Sequence, residues 1–169
     1  MADNKITVDY GQVPAKISFP KNFNVAVPFI DRHLTEGRSD KVAIQGEFGC
    51  VSYIQLFENV NRYGNALIKL GLSKGDRVLM VVKDCPQFFY IFWGAIKAGI
   101  VPVPLNTLLR RNDYRYMIED SSCSLVVYSP EYSEEVGAAL EAVKSGPIPS
   151  LSTEGDASLV NLAEEAQRN

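Results

Sequence analysis

Five apolar residues in a row, Val78-Leu-Met-Val-Val82, stand between two segments that carry the punctuation of helices. A half-buried strand alternates polar and apolar residues. An unbroken apolar run of strand length needs cover on both faces, as in a parallel sheet with helices above and below. Upstream, Ser52 and Gln55 form an S-x-x-Q capping box, in which each side chain satisfies a free backbone N–H. Leu56, Phe57, Val60, Tyr63, Leu67 and Leu70 follow at helical steps. Gly71 then supplies a left-handed C-terminal cap, with apolar Leu72 after it. Downstream, Asp84 is the expected cap of a helix running to about Ala98, with Gln87 three residues on and Pro86 in the first turn. Gly99 ends that helix.

The same alternation extends in both directions. Residues 1–22 read as an irregular arm with Gly11, Pro14 and Pro20 and no sustained period. From Asn24 to about Glu36 the spacing of Val27, Phe29, Ile30 and Leu34 is helical. Lys41–Gln45 and Cys50–Val51 read as strands joined by the hairpin-length turn 46–49. Ile100–Leu105 is extended, and its two prolines, lacking N–H donors, assign it to a sheet edge. A short helix marked by Tyr114, Met117 and Ile118 ends near Asp120, and Leu125–Tyr128 is a further strand. Ser129-Pro130 opens a helix to about Val143. After the break 145–149 come a weak strand near Ile148–Leu151, a loop at Glu154-Gly-Asp156 and a last helix over Leu159–Gln167. Strand–helix order repeated in this way predicts an α/β fold: three layers, with a mostly parallel, doubly wound sheet and helices on both faces. The expected division is an arm at 1–22, an α/β subdomain at 23–145, and a strand, loop and helix at 146–169.

Composition excludes several functions. With 17 Lys+Arg against 20 Asp+Glu the chain carries a formal charge of −3, which argues against nucleic acid or an anionic membrane as partner. The first ten residues hold no apolar core of a signal peptide, and the run Phe88–Ile96 is far short of the ~20 residues that span a bilayer. Cys50, Cys85 and Cys123 are odd in number and widely spaced, as expected of reduced thiols in a cytoplasm. The twelve glycines form neither a dinucleotide fingerprint nor a P-loop. Cys85 opens a helix, but His33 is the only histidine, so a Cys–His nucleophile is outweighed by a buried, inert thiol and a hydrogen-bonded surface histidine. The aromatics Phe88, Phe89, Tyr90, Phe92 and Trp93 crowd every side of one helix and read as core or a subdomain contact. Glu119 and Asp120 are adjacent and point apart on a helix; Glu134 and Glu135 suit the positive end of their own helix. No complete catalytic constellation and no metal set emerges.

Several ordered segments carry a resemblance. Val51-Ser-Tyr-Ile-Gln-Leu56, Asn61-Arg-Tyr-Gly-Asn-Ala-Leu67 and Gly71-Leu-Ser-Lys-Gly-Asp-Arg-Val78 resemble the start of the adenylate-forming acyl-CoA synthetases. Ile96-Lys-Ala-Gly-Ile-Val-Pro-Val-Pro-Leu-Asn106 is similar to an early motif of that superfamily, and so is Tyr116-Met-Ile-Glu-Asp-Ser121. Phe23-Asn-Val-Ala-Val-Pro-Phe-Ile-Asp-Arg32, Gly37-Arg-Ser-Asp-Lys-Val-Ala43 and Asn106-Thr-Leu-Leu109 look most like the benzoate–CoA ligases. The resemblance covers about residues 23–128. It implies a flavodoxin-like N-terminal subdomain of an AMP-forming ligase. In that reaction a carboxylate attacks the α-phosphate of ATP, giving an acyl-adenylate and pyrophosphate, and the CoA thiol then displaces AMP. The implied cofactors are ATP, Mg2+ and CoA for the full-length enzyme, with none expected to bind tightly to this chain. The implied partners are the remainder of the ligase chain and a small aromatic carboxylate; a homodimer stays open, and nucleic acid and membrane do not enter.

The resemblance places the phosphate loop, the ribose-binding acid and the lid lysine beyond Asn169, so the expectation is a chain inactive alone that serves as scaffold. One departure matters. Where the family places Thr-Pro or Ser-Pro at a helix start, this chain has Arg110-Arg111, with Arg115 a turn later. The position that is basic in some relatives and touches CoA phosphates matches Leu108 here, so Arg110 and Arg111 become the candidate CoA-phosphate contacts. The alternative for the whole chain is a self-contained flavodoxin-like binding or interaction module. A severed subdomain exposes an apolar face, for which Phe88–Trp93 and the strand 100–105 are the candidates; a complete module covers its own surface.

Overall fold

The computed structural model describes residues 4–155 and 158–165. The start of the arm (1–3), Asp156 of the loop and Gln167 of the last helix lie outside the described residues. The apolar run becomes β5 (Arg77–Val81), a central strand of a four-stranded parallel sheet. It pairs on one side with β6 (Val101–Pro104) and on the other with β7 (Leu125–Tyr128), which pairs in turn with β8 (Ser150–Ser152). Alternate side chains of β5 enter different cores. Val78 and Met80 join the layer of α2 (Tyr53–Lys69), α3 (Pro86–Ala98) and α6 (Leu159–Glu165). Leu79 and Val81 join the layer of α4 (Arg111–Ser121) and α5 (Ser133–Glu141). Helices therefore cover both faces, and the α/β, doubly wound expectation stands. The strand 100–105 lies at the sheet edge, as its prolines require. Val101 and Leu105 donate to Asp76 and Met80 in and beside β5, while Pro102 and Pro104 alternate with them and turn outward, where no ladder donor is needed.

Local signals set the element ends. Ser52 Oγ accepts from Gln55 N–H at 3.4 Å, and Gln55 Oε1 accepts from Ser52 N–H at 2.9 Å, completing the capping box of α2. Gly71 (φ 90°) and Gly99 (φ 80°) sit in the left-handed region after α2 and α3, and in both caps the next amide reaches back five residues, Leu72 to Leu67 and Ile100 to Ala95. β3 (Val42–Gly46) and β4 (Gly49–Ser52) form the expected antiparallel hairpin, apart from the parallel sheet. α2 and α3 cross where two glycines meet: a Cβ on Gly94 would lie 2.8 Å from the Gly64 nitrogen.

Some expectations are corrected. The N-cap of α3 is Cys85, not Asp84, and no side chain caps that end; Pro86 at the first turn already removes one of the free donors. The first helix begins as a π-helical turn (Val27–Asp31) before α1 (Arg32–Thr35). The helix after Ser129 opens as a 3-10 turn at Pro130–Tyr132 and its α5 portion stops at Glu141. Within the arm, β1 (Thr7–Asp9) and β2 (Lys16–Ser18) pair as a small antiparallel hairpin. Its strands are three residues each and bury none of them, too short an alternation to stand out as a sequence pattern.

Candidate functional site

The chain leaves β5 toward α3 on one face of the sheet and leaves β7 toward α5 on the other. Divergence of this kind opens a crevice at the carboxyl ends of adjacent parallel strands, the usual ligand position in open α/β sheets. Here the crevice has a volume of about 410 Å3 and is lined by Val82, Lys83, Asp84, Pro104, Asn106 and Tyr132, among others. Ser129, fully buried just past β7, ties the two strand ends together: its N–H donates to Val81 O, and its Oγ accepts from Lys83 N–H at 3.1 Å.

Lys83 spans the mouth of this crevice. Its Nζ lies 2.5 Å from Glu131, after β7, and 3.7 Å from Glu154, after β8. The hydrogen bond to Glu131 raises the Lys83 pKa and holds the Glu131 carboxyl below its ordinary range. Two carboxylates around one ammonium leave no net positive field at this point, so the crevice is unsuited to a polyphosphate. Its chemistry is that of a binding wall. Sequence reading missed Glu131 and Glu154; the one available signal is Lys83 itself, a charge directly past the end of a buried strand.

Arg110 and Arg111 come together at the start of α4, beside a second groove of about 340 Å3 lined by Leu108, Arg110, Tyr114, Tyr132, Glu134 and Glu135, among others. The missing Thr cap is replaced by carboxylates. Asp113 accepts from Arg110 N–H at 3.1 Å, and Glu135 of α5 accepts from Arg111 N–H at 2.8 Å. Glu135 also pairs with the Arg110 guanidinium at 3.4 Å. Glu135 thus serves the positive end of α4 as well as that of its own helix. Tyr114 Oη donates to Asn106 O at 3.2 Å and closes the turn that carries Leu108, which is 83% exposed. Arg111 is exposed; Arg115 is half-buried, with its Nε unpaired.

The remaining candidates take structural roles. Cys85 is buried, and burial pushes its thiol pKa up, against the lowering effect of the Phe88 and Gln87 amides. His33 stacks on Tyr53 (centroids 3.8 Å apart), and its Nδ1 accepts from Arg38 Nε at 2.8 Å. Burial and the Arg38 charge lower its pKa, so the imidazole is neutral and already engaged. Within the aromatic cluster Tyr90 is buried, Phe88, Phe92 and Trp93 are half-buried against the core, and Trp93 stacks on Phe29. Phe89 alone of the five is exposed. Among the described residues no group of three or more His, Cys, Asp or Glu could hold a metal ion, and no helix is long and apolar enough to cross a membrane.

The family of AMP-binding enzymes matches residues 31–168, most of the chain. The chain belongs to that family. It is 41% identical over 140 residues to a 4-hydroxybenzoate–CoA/benzoate–CoA ligase of Rhodopseudomonas palustris, covering 78% of this chain and 26% of that protein. It is 40% identical over 144 residues to a benzoate–CoA ligase of Thauera aromatica, covering 85% and 26%. Its fold is similar to a benzoate CoA ligase from Burkholderia xenovorans LB400, with a TM-score of 0.76, 32% identity, and coverage of 84% of this chain and 28% of that one. This AMP-binding family chain therefore spans about a quarter of the length of the ligases it matches. Lys83, the cation at the sheet crevice, is paired with two carboxylates.

Proposed function

We propose that this chain is the N-terminal α/β part of an AMP-forming ligase that converts benzoate or a related aromatic acid to its CoA thioester. The supporting observation is its similarity, at 40–41% identity, to aromatic acid–CoA ligases about three times as long. Residues 23–145 are the α/β subdomain in this reading, with residues 146–169 leading toward the phosphate-handling region. The chain's own contribution is a rigid support: a sheet with two covered faces whose carboxyl edge presents a neutralised, shaped wall. ATP and the acid are handled by the remainder of the ligase. Arg110 and Arg111 contact CoA phosphate from their outer, solvent-facing sides, because Glu131, Glu134 and Glu135 oppose an anion within the groove behind them.

Two measurements test the reading. The purified 169-residue chain gives no benzoate-dependent ATP–pyrophosphate exchange. Placed in the R. palustris relative in exchange for the matching segment, it gives a ligase that forms benzoyl-CoA; a chimera that folds and forms no thioester with any aromatic acid overturns the proposal. In the active chimera, Arg110→Ala with Arg111→Ala raises the CoA KM several-fold and leaves the exchange reaction unchanged. An unchanged CoA KM removes the arginine assignment alone.

A further inference from the structure

We infer that the β1–β2 hairpin is part of a larger sheet, whose next strand is supplied by ligase polypeptide outside these 169 residues. The inference rests on the ligase reading above. Among the described residues the two strands pair only with each other, Thr7 with Ser18, Val8 with Ile17 and Asp9 with Lys16. All six residues are exposed. A lone two-stranded hairpin is marginal in water; three strands or a packed face are needed for stability. This hairpin also carries apolar side chains in register on one face, Val8 39% and Ile17 55% exposed, with Phe19 59% exposed just beyond β2. Among the described residues nothing pairs with the outer edge of either strand, and such an edge of backbone donors and acceptors is the usual template for strand addition.

The hairpin is held in place at its base. Asn4 Nδ2 donates to Asn24 O and Asn24 N–H donates to Asn4 Oδ1, both at 2.7 Å. Asn24 Nδ2 in turn donates to Ile96 O and Lys97 O at the end of α3. The excursion between Asn4 and Asn24 is thus presented at a fixed place on the α/β unit. Its described residues carry Lys5, Lys16 and Lys21 against Asp9, an excess of positive charge in a chain of net −3. The complementary strand is apolar on alternate positions and neutral or acidic. The matched ligases are about three times as long as this chain, so polypeptide to supply it is abundant. Pairing within one chain also avoids the entropy lost when two molecules associate.

Amide hydrogen exchange on the complete ligase and on the 169-residue chain tests the assignment. Peptides covering 7–18 are expected to exchange about 100-fold more slowly in the complete ligase, because the hairpin then opens only with the sheet it joins. Val8→Asp with Ile17→Asp abolishes that difference and leaves unfolding of the short chain unchanged. Equal, fast exchange in both proteins overturns the inference. Slow exchange that grows with protein concentration, alongside a dimer in light scattering, also overturns it by assigning the surface to a second copy. A complete ligase that is active with a fast-exchanging hairpin refutes this inference alone. A folded complete chain with a protected hairpin and no adenylation refutes the ligase reading alone.

Discussion

Substituting alanine for one glycine at the crossing of α2 and α3 should destabilise the chain, although alanine favours helices. In Gly94→Ala the new Cβ would lie 2.8 Å from Gly64 N, 2.9 Å from Val60 O and 3.3 Å from Tyr63 C. Ordinary van der Waals contact starts at 3.4 Å, and all three neighbours are backbone atoms that no rotamer change can move. The helices must separate by roughly half an ångström, a gap that forfeits a quarter to a half of each dispersion contact along the seam. Overpacking costs about 1–3 kcal/mol, and contact with three backbone atoms that cannot yield puts Gly94 in the upper part of that range, about 2–3 kcal/mol, of which the helix propensity of alanine returns about 1. A net loss of about 1–2 kcal/mol lowers the Tm of a chain this size by about 2–8 °C. Gly137→Ala is the matched control. Gly137 lies in α5, and a Cβ there would meet nothing within 4 Å. The same change should stabilise there by about 0.5–1 kcal/mol. Urea unfolding followed by circular dichroism measures both. Equal signs for the two variants, or a Gly94→Ala chain as stable as the parent, would refute the reasoning.

Three further predictions follow from local geometry. Ser52→Ala should cost about 1 kcal/mol through the capping box, and Gln55→Ala added to it should cost less than the sum of the two, which a double-mutant cycle reads directly. Glu135→Ala uncaps α4 from a neighbouring helix and should destabilise by about 1 kcal/mol, with faster amide exchange confined to the first turn of α4. Lys83→Met should lower stability by a pH-dependent amount. Glu131 has a depressed folded-state pKa, so its contribution is present above the ordinary carboxylate range and is lost as pH falls through its folded value; Lys83 has a raised pKa, so its contribution persists below the ordinary lysine value and is lost as pH rises through the folded one. The stability difference between parent and variant is thus flat between about pH 5 and pH 10 and shrinks on either side; a difference that grows below pH 4 would contradict the bridge.

Much of the scaffold was readable because its signals are local. The Ser52–Gln55 box, the glycines at 71 and 99 and the prolines of β6 each act within one turn or one strand, and each appears as the residues dictate. The candidate site was readable only in outline. Arg110-Arg111 marks a helix start in the sequence, but Glu135, the residue that caps it, is 24 positions away. Lys83 marks the end of a strand, but Glu131 lies 48 positions on. Asp84 was the expected cap of α3, yet Cys85 takes that position because Pro86 fixes the first turn one residue later than the carboxylate would.

The division between the two kinds of information follows from range. By itself the sequence determined the α/β class, the buried central strand, the edge position of the proline-rich strand and the helix ends, because periodicity and capping operate over four residues or fewer. Only the tertiary structure decided that Gly64 meets Gly94, that Lys83 bridges the ends of three strands, that one helix caps another, and that the N-terminal hairpin leaves all six of its paired residues exposed. Those pairings depend on strand register and helix crossing, which the packing of both cores sets together and no local window contains.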